Sequence, residues 1–131
     1  MERAQHLERA GEADQMQAQR ERGARDLLLG KGADHLERRP WRPEPMPPSA
    51  VELTQYALWR SSELTADELL GALSLLPAAR AEVESTEIGM LFAARSEGLT
   101  WAQIAEVMGF RSPQACQQYV NRLSARQEKY T

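Results

Sequence analysis

Three short motifs that open α-helices constrain the fold of this chain most strongly. Each has Ser or Thr followed three residues later by Glu or Gln, and they span residues 49–52, 65–68 and 100–103. In such a capping box, the hydroxyl and the later side chain each pair a backbone N–H that the first helical turn leaves free. Apolar residues recur at helical spacing after each box, and no stretch alternates like a β-strand, so the sequence predicts an all-α protein.

Proline content and hydropathy divide the chain into four segments. Residues 1–39 are rich in Glu, Arg, Gln and Ala, and their sparse apolar residues predict a flexible, charged tail that is partly helical or disordered. Residues 40–48 hold five of the seven prolines and predict an extended linker. One or two accessory helices are expected over residues 49–76, and a helix-turn-helix domain over residues 77–128.

The C-terminal segment predicts three helices with a tight turn before the last. Pro77 begins a long helix that Gly98 ends, and Thr100 caps a second, short helix. Gly109 supplies the left-handed residue that ends this helix, and Ser112, followed by proline, caps the third. This arrangement is typical of a helix-turn-helix, whose second helix enters the DNA major groove.

The last helix, residues 112–125, has two chemically different sides. The side predicted to be buried carries Ala115, Cys116, Tyr119, Val120 and Leu123. The opposite side carries mainly carboxamides: Gln114, Gln117, Gln118 and Asn121. A carboxamide can donate to and accept from one adenine edge, while an arginine contacts guanine or a phosphate. The alternative is that this side is only a solvated polar surface, but its amide rather than charged composition favours DNA.

We therefore predict a DNA-binding site on the last two helices. Its residues are Thr100, Arg111, Ser112, Gln114, Gln117, Gln118, Asn121, Arg122 and Arg126. The carboxamides are expected to read base edges in double-stranded DNA. The arginines and Thr100 are expected to hold phosphates.

Residues 99–115, LTWAQIAEVMGFRSPQA, resemble small helix-turn-helix DNA-binding proteins common in actinobacteria. More distantly, they are similar to the homeodomain-like and Myb/SANT three-helix class. The resemblance covers about residues 62–125 and implies a homeodomain-like domain in a transcriptional regulator or nucleoid-associated protein. That family commonly has an arginine after the second glutamine of the last helix, where this chain has Tyr119, so one expected phosphate contact is missing.

Charge is unevenly distributed along a chain with a net charge of −3. Residues 111–131 hold four basic side chains, Lys129 among them, and one acidic side chain, whereas residues 50–87 hold seven acidic and two basic ones. The basic end coincides with the predicted DNA-binding helix. Four cations are few for DNA, so a homodimer or a basic arm from the tail would be needed for additional phosphate contacts.

Nothing in the sequence predicts an enzyme, a metal site or a cofactor. The single cysteine, Cys116, is expected to be a buried core residue, and the two histidines, His6 and His35, lie in the N-terminal segment. No apolar run approaches a membrane span and no signal peptide is evident, so a cytoplasmic, nucleoid location is expected.

The alternative function is a protein–protein interaction module. In that interpretation the helix-turn-helix scaffold is the adaptor of a regulator, and the N-terminal tail or the proline-rich linker contacts the partner protein. The low number of cations favours this alternative, whereas the amide-lined helix favours DNA binding.

Overall fold

Six α-helices and two short 3-10 helices make up the fold, and residues 2–128, which the computed structural model describes, contain no β-strand. The α-helices are α1 (Glu2–Gly30), α2 (Ala50–Trp59), α3 (Ala66–Leu73), α4 (Leu76–Ser96), α5 (Trp101–Met108) and α6 (Pro113–Glu128). The 3-10 helices cover Ala33–His35 and Ser61–Glu63. The predicted all-α class is confirmed.

The three capping boxes form as predicted. The hydroxyls of Ser49, Thr65 and Thr100 each accept a hydrogen bond from the backbone N–H three residues on, and the Glu or Gln there bonds back to the capping N–H. They begin α2, α3 and α5. The long helix predicted to start at Pro77 begins one residue earlier, and Gly98 follows it with a φ of 88°.

The N-terminal residues are helical, which corrects the predicted flexible tail. Glu, Arg, Gln and Ala are strong helix formers, so α1 extends to Gly30 despite its few apolar residues. Ala24 and Leu28, four residues apart on one face, are buried in a core shared with α2 and α3. Gln17 also donates from Nε2 to the Ser74 carbonyl, at 2.8 Å. Helices α2 and α3 lie within residues 49–76, where one or two accessory helices were expected, and α1 is an additional helix before them.

The chain divides into two compact units, which are described separately: an N-terminal unit, Met1–Ala79, and a C-terminal unit, Arg80–Thr131. The N-terminal unit packs around Leu28, Leu53 and Leu75, each at most 1% exposed. Beside this core the Tyr56 hydroxyl donates to the Lys31 carbonyl, at 2.7 Å. A Cβ at the next residue, Gly32, would lie 2.7 Å from that hydroxyl, and the φ of Gly32 is 116°, so both sterics and backbone require glycine.

The proline-rich residues 40–48 contain no helix, yet Arg42 and Pro48 are buried. The Arg42 guanidinium donates two hydrogen bonds to the Glu52 carboxylate, at 2.7 and 2.9 Å, and one to the Glu37 carbonyl, at 2.8 Å. Burial would raise the pKa of Glu52, but its hydrogen bonds from Arg42 and Ser49 lower it below the usual value. Trp41, by contrast, is 77% exposed.

The C-terminal unit consists of residues 80–96 of α4 together with α5 and α6. Its core contains Leu91 from α4, Ile104 and Ala105 from α5 and Cys116 from α6. The predicted burial of Cys116 is therefore confirmed. No described helix is long and apolar enough to cross a membrane.

Candidate nucleic-acid interface

The connection between α5 and α6 is short because both helix ends are satisfied locally. Gly109 ends α5 with a φ of 80°, and the Phe110 N–H donates to the Ala105 carbonyl, at 2.8 Å. The Ser112 hydroxyl then accepts from the Ala115 N–H, at 3.1 Å, and so caps α6. Four residues, 109–112, separate the two helices. The two helices are therefore joined by a tight turn with a glycine at its start and a serine cap at its end.

One side of α6 is fixed by apolar packing. Cys116 and Leu123 are completely buried, and Val120 is half-buried. The rings of Phe110 and Tyr119 lie 5.1 Å apart between centroids, so the turn residue packs against the same side of the helix. This apolar packing sets the rotation of α6 about its own axis and therefore decides which residues face outward.

Polar contacts with α4 hold α6 at two further points. The Tyr119 hydroxyl donates to Glu87, at 2.9 Å, and this hydrogen bond, together with burial, raises the pKa of Tyr119. Gln127 donates to the Ala81 carbonyl, at 3.0 Å, and accepts from the Ser85 hydroxyl, at 2.6 Å. The Tyr119 hydroxyl is thus turned toward α4 rather than toward the carboxamide side of α6.

The carboxamides lie on the outward side of α6, as predicted. All four are exposed, and none has a hydrogen-bond partner among residues 2–128: Gln114, Gln117, Gln118 and Asn121. Their spacing of three and four residues places them on one stripe along the helix. No carboxylate lies within this stripe, so its donors and acceptors are free for an external ligand.

The cations of the predicted site do not behave alike. Arg111 and Arg122 are exposed and have no ion-pair partner in the described part of the chain. Arg126 instead pairs with Glu84 of α4, at 3.3 Å, while half of its side chain remains exposed. Lys129, which contributed to the predicted basic end, lies outside the described residues. The unopposed positive charge is therefore concentrated at Arg111 and Arg122.

The two hydroxyls of the predicted site already form hydrogen bonds that cap helices. Thr100 caps α5 and also donates from its hydroxyl to Gln103, at 3.2 Å, yet it remains exposed. Ser112 caps α6 and is half-buried. Both residues lie at helix N-termini, where backbone N–H groups also face outward.

Sequence reasoning missed the acidic residues of α4 that hold α6. Glu84 contacts Arg126 and Glu87 contacts Tyr119, and no motif in the sequence predicted either contact. Their spacing of three residues on α4 was the one available signal. Which helix lies opposite depends on how the three helices pack, and that packing cannot be read from local spacing.

The described residues contain no group of His, Cys, Asp and Glu side chains arranged to hold a metal ion. Burial and the nearby Glu87 charge raise the pKa of Cys116, so its thiol is kept protonated in the core. Comparisons with protein-family models, with curated proteins and with solved structures give no match to this chain.

Proposed function

We propose that this protein binds double-stranded DNA as a transcriptional regulator or nucleoid-associated protein, with α6 lying in the major groove. The observation that carries the proposal is the outward stripe of α6, where four carboxamides and two neighbouring arginines have no side-chain partner among residues 2–128 and no carboxylate intervenes. The tight turn between α5 and α6 and the resemblance to homeodomain-like helix-turn-helix proteins of actinobacteria support the same proposal.

Each group has a chemical role in this proposal. Gln114, Gln117, Gln118 and Asn121 contact base edges, since a carboxamide matches the donor and acceptor pair of adenine. Arg111 and Arg122 neutralise phosphates, and Arg126 joins them when its ion pair with Glu84 opens. Thr100 and Ser112 cap α5 and α6, whose N-termini would lie near the phosphate backbone of the DNA.

The proposal implies modest affinity for a single copy. The C-terminal unit has six basic and six acidic residues, so it has no overall positive field. With about three phosphate contacts per copy, affinity falls about 40-fold between 50 and 200 mM salt. A homodimer on a two-fold symmetric site would double these contacts, and half-site spacing in the bound DNA would reveal it.

Selection of bound duplexes from a randomised pool at two salt concentrations tests the proposal. We expect wild-type protein to enrich a defined sequence and the Gln118→Ala variant to relax it at one or two positions, since a lost bidentate contact costs about 1–3 kcal/mol of discrimination. The Arg122→Ala variant is expected to weaken binding to all sequences and to lower the salt slope by about 1.

Two exposed positions on the N-terminal unit provide matched controls. Gln55→Ala removes a carboxamide from α2, and Arg3→Ala removes a cation from α1, and neither is expected to change binding. If the wild-type protein shows no salt-sensitive binding to any duplex, the proposal is wrong. Equal losses in Gln118→Ala and Gln55→Ala would show that α6 does not read bases.

A protein-interaction module is the second candidate function, and the Arg126–Glu84 ion pair favours it. Because Glu84 already neutralises one of the three arginines near α6, the charge available for phosphates is low. In this case a partner protein would co-purify with the chain equally well before and after nuclease treatment. DNA-mediated association would be lost on nuclease treatment.

A further inference from the structure

An apolar groove runs between α4 and α5 on the C-terminal unit. It encloses about 530 Å³, and no residue of α6 lines it. Leu91 and Ile104, both less than 10% exposed, form its floor. This volume lies within the range of sites that hold small molecules or a few side chains of a partner protein. The groove is thus a separate feature from the carboxamide stripe.

The walls of the groove are exposed apolar side chains that the fold itself does not bury. Val107 on α5 is 85% exposed and Met90 on α4 is 70% exposed, with Leu99 at one end 40% exposed. Apolar sides of a helix are ordinarily covered, and these exposures show that this side of α4 is uncovered within the described residues of the C-terminal unit. Methionine walls adapt to differently shaped side chains, as in grooves that bind helices.

The rim of the groove is acidic. Glu87 and Glu106 both line it, and the described lining contains no basic residue. One oxygen of Glu87 accepts from Tyr119, while Glu106 is exposed without an ion-pair partner among residues 2–128. A complementary ligand therefore combines apolar side chains with positive charge beside them.

A second copy of this chain does not meet that requirement. A two-fold contact of the groove with itself would bring the Glu87 and Glu106 carboxylates of both copies together. The exposed leucines of α3 are no better suited, because the exposed Asp67 precedes them on the same helix. Like charges placed together at an interface weaken binding.

We propose that this groove binds an amphipathic helix of a partner protein whose apolar face is flanked by lysine or arginine. Leucine-sized residues at positions i, i+3 or i+4, and i+7 would enter between Val107 and Met90. The basic flank would lie against Glu106 and the free oxygen of Glu87. This inference does not depend on DNA binding, since no residue of α6 lines the groove.

A display library of randomised helical peptides, about 20 residues long and selected on the full-length protein, tests the inference. We expect the enriched peptides to carry an apolar helical stripe and net positive charge. Val107→Glu is expected to weaken them about tenfold or more, since it places a charge in the groove. Glu106→Lys is expected to weaken the same peptides and to improve binding of versions whose basic residues are changed to Glu.

Phe92→Glu is the matched control, because Phe92 is 75% exposed on α4 but lies outside the groove lining. It is expected to leave peptide binding unchanged. Circular dichroism melts of each variant check that the fold is retained, which is expected since Val107 and Glu106 are exposed.

The inference is overturned if no peptide distinguishes wild type from Val107→Glu, or if the enriched peptides lack a basic excess. It is also overturned if sedimentation shows a wild-type dimer that Val107→Glu dissociates, since a second copy would then occupy the groove.

Discussion

At the scale of single residues, a buried ion pair joins the proline-rich segment to α2 in the N-terminal unit. Arg42 lies in the proline-rich segment and is only 4% exposed, and its two hydrogen bonds to Glu52 tie that segment to the first turn of α2. The same Glu52 carboxylate completes the Ser49 capping box. One acidic side chain thus stabilises a helix start and neutralises a buried cation.

We predict that Glu52→Gln lowers the free energy of unfolding by about 3 kcal/mol, because it leaves the Arg42 charge buried without its partner. The matched control is Glu63→Gln, which removes an exposed carboxylate paired with Arg60 and is expected to cost at most about 0.5 kcal/mol. Urea unfolding of the three proteins at neutral pH measures both. Equal losses in the two variants would contradict the assigned role of the buried pair.

The same pair predicts how stability depends on pH. The pKa of Glu52 is lower in the folded chain than in the unfolded chain, so its contribution is complete above the unfolded pKa. That contribution is lost as the pH falls through the folded pKa. Between about pH 5 and 3, wild-type protein should therefore lose more stability than Glu52→Gln. If wild type and Glu52→Gln lose the same unfolding free energy over this pH range, other carboxylates control acid unfolding.

At the scale of helices, the three capping boxes were predicted correctly, but the ordered helix α1 was not. The hydroxyls at Ser49, Thr65 and Thr100 act within one turn, so the sequence alone identifies them. The burial of Leu28 depends on α2 and α3, which lie far along the chain, so a search for local periodicity missed α1 as an ordered helix. In the candidate site, helical spacing predicted the outward position of the carboxamides, but it did not predict the ion pair between Arg126 and Glu84.

Helix α1 illustrates the difference between local preference and packing. Residues 2–16 are exposed throughout, including Leu7 and Met16, whereas Ala24 and Leu28 are buried. An isolated helix as short as residues 2–16 is marginally stable in water. The two halves of α1 therefore differ in what stabilises them.

We predict that backbone amides of residues 2–16 exchange with solvent much faster than those of residues 24–30, measured by hydrogen exchange. Removing residues 1–16 is expected to change Tm by less than about 3 °C, because little apolar surface is lost. Strong protection of the first half in the full-length protein would show that it packs against something else, such as a second copy.

At the scale of the whole molecule, placement of charge matters more than its sum. The chain has a net charge of −3, and its C-terminal unit is balanced, so electrostatic attraction to DNA is not general. The proposed function depends instead on two arginines beside four carboxamides, all without a side-chain partner among residues 2–128. The apolar groove with its acidic rim is a second surface of opposite chemistry. We propose DNA as the ligand of the first surface and a basic amphipathic helix as the ligand of the second.

The most direct measurement is an NMR titration that follows the side-chain NH₂ groups of a labelled protein as the most enriched duplex is added. We expect the resonances of Gln114, Gln117, Gln118 and Asn121 to move. The resonance of Gln55, an exposed carboxamide on α2 of the N-terminal unit, should stay in place. If the four resonances remain fixed at low salt, or if only Gln55 and other residues outside α6 respond, α6 does not read DNA bases.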